Sequence, residues 1–132
     1  MFIDAKKAHL NPKCEEDVYI ELPTEAKRGV NQCGKLNFWS YGFRPAAQAW
    51  EKFYAEKLEA AGFIRGIGCS VVFYNEELDM SCEVHGDDFA FWGYDKDLRM
   101  LAKEIEPWFE LKVRDWVKSL ETIRRWRFWG GL

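Results

Sequence analysis

The sequence predicts an α+β fold. Three observations carry that prediction: short β-prone runs stopped by Pro, Gly or Asn, stretches with apolar residues at helical spacing, and no internal repeat, linker or low-complexity segment. The 132 residues match the size of one domain. Apolar residues make up 48% and charged residues 31%, a balance that builds a core and argues against disorder.

Each element has a local reason. Residues 1–5 read as a short strand entering a turn, and Asn11-Pro12 is a turn signal. Val18-Tyr19-Ile20-Glu21-Leu22 is β-prone and stops at Pro23. Residues 24–34 are polar and loop-like, with Gly29 and Gly34 as breakers, and 36–41 read as a strand. A helix opens at Pro45, where a missing N–H costs nothing. Trp50, Phe53, Tyr54, Leu58 and Ala61 form its apolar stripe, and Gly62 caps it. Residues 71–74 form a strand, 75–77 a turn, and 78–84 the returning strand. His85-Gly86-Asp87-Asp88 interrupts the apolar run before Phe89-Ala90-Phe91-Trp92 resumes it. Asp95 or Asp97 caps a second helix with Leu98, Leu101, Ala102 and Ile105 as its stripe, ended by Pro107. Residues 108–113 read as a strand. Trp116, Leu120 and Ile123, at i, i+4 and i+7, predict a C-terminal amphipathic helix closed by Gly130-Gly131.

Composition removes several function classes. A formal charge of −3 excludes a generally polycationic nucleic-acid coat. No apolar run approaches the ~20 residues that span a bilayer. With no secretory leader visible in Met1-Phe2-Ile3-Asp4, an intracellular location is expected. Cys14, Cys33, Cys69 and Cys82 lack CxxC spacing, so they read as reduced thiols rather than a zinc knuckle or a disulfide framework. His9 and His85 stand too far from any Cys pair to suggest zinc. Gly62, Gly66 and Gly68 lack the Lys-Ser/Thr that completes a phosphate loop. Charge is uneven: residues 1–110 carry 13 basic and 20 acidic side chains, and 111–132 carry six basic and two acidic. Such a tail is either a solvated helix face or a contact for nucleic acid or an acidic partner.

Asp87-Asp88 is the pair that chemistry singles out. Two like charges at a tight turn between apolar strands repel, and a cation removes that cost. Mg²⁺ favours one or two carboxylates plus substrate phosphates. With Asp4 from another strand, the three would form a two-metal site for phosphoryl transfer, with ions ~3.5–4 Å apart. The competing reading is a solvated hairpin turn.

The surrounding blocks resemble the reverse transcriptase of copia-type retrotransposons. The family's first motif, Asp-Val-Lys-x-Ala-Phe-Leu-Asn-Gly, is matched by Asp4-Ala5-Lys6-Lys7-Ala8-His9-Leu10-Asn11, followed by Glu15-Glu16, Val18-Tyr19-Ile20 and Leu22-Pro23. Its Leu-Tyr-Gly-Leu-Lys-Gln-Ala-Pro-Arg-Ala-Trp block is matched from Ser40-Tyr41-Gly42-Phe43-Arg44-Pro45 to Trp50, and its Leu-Gly-Phe by Ala61-Gly62-Phe63. Tyr-Val-Asp-Asp is matched by His85-Gly86-Asp87-Asp88, and Phe-Glu-Met-Lys by Phe109-Glu110-Leu111-Lys112. The order of the four blocks carries the resemblance, over roughly residues 2–113.

The resemblance implies a palm-like domain over 1–113, an antiparallel sheet with helices on one face, and a separate basic, Trp-rich segment over 114–132. It implies that Asp4, Asp87 and Asp88 are catalytic and hold Mg²⁺ or Mn²⁺. It implies substrate contacts at His9, under the sugar of the incoming nucleotide, at Tyr41 and Gly42 in the nucleotide and template pocket, and at Lys112. Primer-template nucleic acid and a deoxynucleoside triphosphate would be the partners. Three positions depart from the family: His85-Gly86 replaces Tyr-Val, Pro45 replaces Gln, and His9 is smaller than Phe. Fingers and thumb blocks are not recognised, so a palm that does not polymerise alone is expected. The alternative is a non-catalytic interaction subunit that meets a protein partner or a second copy through exposed palm surfaces and the Trp-rich tail.

Overall fold

The computed structural model describes residues 1–113; the helix expected over 114–132 lies outside the described residues. In chain order the regular elements are β1 (Phe2–Ala5), β2 (Tyr19–Glu21), β3 (Cys33–Lys35), α1 (Arg44–Ala60), β4 (Ile64–Arg65), β5 (Val72–Asn75), β6 (Met80–His85), β7 (Asp88–Trp92), α2 (Asp95–Ile105) and β8 (Leu111–Val113). Single 3₁₀ turns occupy Ala8–Leu10 and Thr24–Ala26. The fold is α+β, with an antiparallel sheet and two helices, as the sequence predicts. The chain forms two compact units, Met1–Lys6 with the chain from Leu58 onward, and Lys7–Lys57.

The first unit is built on a six-stranded sheet in the order β4-β5-β6-β7-β1-β8, antiparallel throughout. Side chains alternate across a strand, so one face is buried and the other open. Ile3, Phe73, Met80, Cys82, Val84, Phe89 and Phe91 are buried on the inner face. The same strands turn Val72, Tyr74, Ser81, Glu83 and His85 to the open face, where exposure is partial or full. Ala90 is the buried exception there, small and flanked in register by Phe2 and Glu83.

Helix α2 turns Leu98, Leu101 and Ile105 inward. Asp95 and Asp97 stand in its first turn, where they favour the positive end of the helix dipole. Neither is the cap: Tyr94 holds that position without a side-chain cap bond. Among the described residues Asn75 is the buried polar residue of this unit: its amide donates to the Ala61 carbonyl (3.2 Å) and its Oδ1 accepts from the Leu78 N–H (3.1 Å). The final strand is shorter than the sequence suggests, because Trp108 still bonds back to Ile105. Strand β4, two residues long, is too short to leave a periodic signal.

In the second unit, β2 and β3 form a hairpin with Ile20 opposite Gly34. The strand expected at 36–41 is displaced to Cys33–Lys35. Gly34 acts as a close-approach residue rather than a breaker: a Cβ there would come within 2.9 Å of the Leu22 side chain. Of 36–41, only Phe38 makes a bridge, to Lys13. Helix α1 takes Pro45 in its first turn and buries Trp50 and Tyr54 at i and i+4; its last residues, from Leu58 at i+8, belong to the first unit. Gly62, at φ +90°, ends the run, and Phe63 N–H donates to the Leu58 carbonyl (3.0 Å).

Candidate metal centre

The hairpin between β6 and β7 sets the centre. His85 pairs with Asp88, leaving Gly86 and Asp87 as a two-residue turn. Gly86 has φ +60° and Asp87 does not share the positive φ, the pattern of a II′ turn, which takes glycine first. The sequence assigns His85 and Asp88 to the turn; both are in fact strand residues. That difference fixes where they face, because a strand position commits a side chain to one side of the sheet.

Strand β1 lies against β7 with Asp4 directly opposite Asp88, and the Ala5 N–H donates to the Asp87 carbonyl (2.8 Å). One carboxylate oxygen from each of Asp4, Asp87 and Asp88 falls within 4.8 Å of the others. Asp4 is half-buried, and Asp87 and Asp88 are exposed. On the far side of β1, Lys112 of β8 stands directly opposite Asp4. One row across four strands therefore runs His85, Asp88, Asp4, Lys112, on the open face. Lys6 extends the same edge: its N–H donates to the Glu110 carbonyl (2.8 Å), and its ammonium lies 3.4 Å from the Glu110 carboxylate.

Three carboxylates at this separation repel one another in the absence of a cation. Their donor set is all oxygen, which suits a hard divalent ion such as Mg²⁺ or Mn²⁺. Exposed acidic groups also gather without a metal, so the geometry permits an ion and does not require one.

The other residues that the resemblance points to, His9, Tyr41 and Gly42, belong to the second unit. His9 follows Lys7, a left-handed residue at φ +52°, and its ring stacks on Tyr41 with centroids 4.8 Å apart and planes at 26°. His9 Nδ1 is buried without a hydrogen-bond partner, while Tyr41 is 54% exposed. Gly42 has φ +90°, and nothing lies within 4 Å of where a Cβ would stand. A groove of about 540 Å³ runs between Asn11–Glu16 and the Pro45, Gln48, Lys52 and Glu56 side of α1; it contains none of these residues.

Glu83 escapes the sequence reading. It sits two residues before His85, and its carboxylate lies 2.8 Å from His85 Nε2. The signal was the i, i+2 spacing, hidden by ending the strand one residue early. Among the described residues no helix is long and apolar enough to cross a membrane. Comparison with family models, with curated proteins and with solved structures finds no match.

Proposed function

We propose that this chain carries a reverse-transcriptase palm-like nucleotidyl-transfer site, with Asp4, Asp87 and Asp88 as its metal-holding residues. The observation that carries the proposal is the convergence of Asp4 with Asp87 and Asp88, more than eighty residues further along the chain, onto one register row and its adjoining turn. Two of them stand on a hairpin turn and its flank, and the third on the neighbouring strand.

Bound there, divalent ions would lower the cost of charge on the attacking and leaving oxygens of phosphoryl transfer. The protein supplies position. Strands β1 and β7 fix the carboxylates through main-chain pairing, and Lys112 adds a cation one strand away for a phosphate oxygen. Catalysis of this class is mainly positioning and charge stabilisation, so a rigid sheet suits it.

A second reading is a non-catalytic interaction module. Its support is the open sheet face, where Ile64 is 66% exposed and Tyr74 42%.

Thermal unfolding with and without metal separates the two. With Mg²⁺ or Mn²⁺ at 100 times Kd the proposal expects about 2.7 kcal/mol of added stability. Replacing Asp87→Asn and Asp88→Asn together should remove that gain without lowering the metal-free transition, because two mutually repelling charges are gone. Primer extension on an RNA template reads activity directly. No metal response in the wild type would leave the interaction module as the better account.

A further inference from the structure

We infer that the outer edge of β2 pairs with β2 of a second copy of this chain, antiparallel, about a two-fold axis through Ile20. The inference stands apart from the aspartate site and uses only the second unit.

No residue of β2 or β3 is buried, and Tyr19 is 59% exposed and Ile20 36%. A two-stranded ribbon of this kind is marginal in water until a further strand or layer joins it. The register shows which main-chain groups lack a neighbour. Ile20 lies opposite Gly34, and two residues back the Leu36 N–H donates to the Val18 carbonyl (2.9 Å). Bonded and non-bonded pairs alternate along an antiparallel ribbon, so Val18 and Ile20 bond towards β3. The N–H and C=O groups of Tyr19 and Glu21 therefore point away from it. Among the described residues these groups bond to no other main chain. The far edge of β3 is the poorer template, because Cys33-Gly34-Lys35 puts a glycine and a lysine on it. Residues 18–22 of the β2 run contain neither Lys nor Pro.

Charge selects the register. An axis through Tyr19 would set Asp17 opposite the partner's Glu21. An axis through Glu21 would set that carboxylate against the partner's Glu21. Like charges directly opposed are destabilising, which disfavours both. An axis through Ile20 opposes no like charges. It sets Tyr19 against the partner's Glu21, so the outward N–H and C=O groups of each meet those of the other. Val18 then faces the partner's Leu22, and Ile20 faces the partner's Ile20 with Cβ atoms ~4.5–5.5 Å apart. Val18, Ile20 and Leu22 share one side of the strand, so the joined ribbon carries a continuous apolar row across the axis. Pro23 has no N–H and ends the pairing. The contact is isologous and closes as a dimer. A ribbon this short makes the dimer weak and dependent on concentration.

Sedimentation equilibrium of the full chain over a concentration series tests this. The wild type should rise from the mass of one chain to twice that mass. Ile20→Lys and Ile20→Glu should each stay at one chain, because like charges then meet on the axis. An equimolar mixture of the two variants should regain the doubled mass. Glu21→Pro removes an outward N–H without touching the bonds to β3, so it too should stay at one chain, with the far-UV spectrum of the wild type. It decides the matter should Ile20→Lys fail to fold. A wild type that stays at one chain throughout overturns the inference and leaves the edge to a strand of another protein. A dimer that survives Glu21→Pro and Ile20→Lys lies on another surface and overturns it as well. A mixture that stays at one chain overturns the axis through Ile20.

Discussion

Cys82 lies on the inner face of the sheet, fully buried on β6, opposite Phe91. Burial pushes its thiol well above the usual range, with the Glu83 charge adding to the effect. The thiolate is the reactive form, so Cys82 should be inert in the folded protein. Cys33 and Cys69 are exposed and Cys14 is half-buried. Thiol-reagent labelling at neutral pH should modify those three and spare Cys82 until denaturant is added; rapid native labelling of Cys82 would contradict its placement. The sign for stability follows from the same shift. An acid whose folded pKa is raised stabilises the fold below its unfolded pKa. That contribution is lost progressively as pH climbs past the unfolded thiol's pKa of ~8.5 towards the folded value, so Cys82 weakens the protein from mild alkali onward. Its burial was not legible from composition, which gave four similar cysteines; what distinguishes it is strand alternation with Met80 and Val84 on either side.

At the scale of elements, the β6–β7 hairpin depends on one glycine. Nothing lies within 4 Å of a Cβ built on Gly86, so space does not demand glycine there; the left-handed φ of +60° does. Gly86→Ala should cost about 1–2 kcal/mol from backbone strain. Gly86→Asn should cost less, since Asn tolerates positive φ. Urea unfolding measures both, and a neutral Gly86→Ala would contradict the turn assignment. Sequence reasoning found this hairpin, both helices and most strands, because period-2 alternation and helical stripes survive in single segments. It missed the hairpin's true limits. An acidic residue and a histidine beside glycine look like loop, whereas main-chain pairing carries the strands through His85 and Asp88. It also misplaced the third strand, because Gly34 is selected by the nearness of Leu22, a contact that no local pattern encodes.

At the scale of the molecule, the decisive event is the insertion of β1 between β7 and β8. The first strand in sequence pairs with two of the last, and that places residue 4 opposite residues 88 and 112. The sequence offers Asp4, at the end of another strand, as a third candidate beside Asp87-Asp88, and the ordered blocks of the family resemblance add weight to that grouping. The row His85, Asp88, Asp4, Lys112 was not legible, since it depends on the register of three strand pairs at once. The most direct test of the proposed metal centre is a substoichiometric Mn²⁺ titration of the full chain followed by ¹H–¹⁵N NMR. The account predicts that amides around Asp4, Asp87 and Asp88 broaden first and together, and that Asp87→Asn with Asp88→Asn abolishes the effect. Broadening that begins elsewhere, or that survives the double substitution, would contradict it.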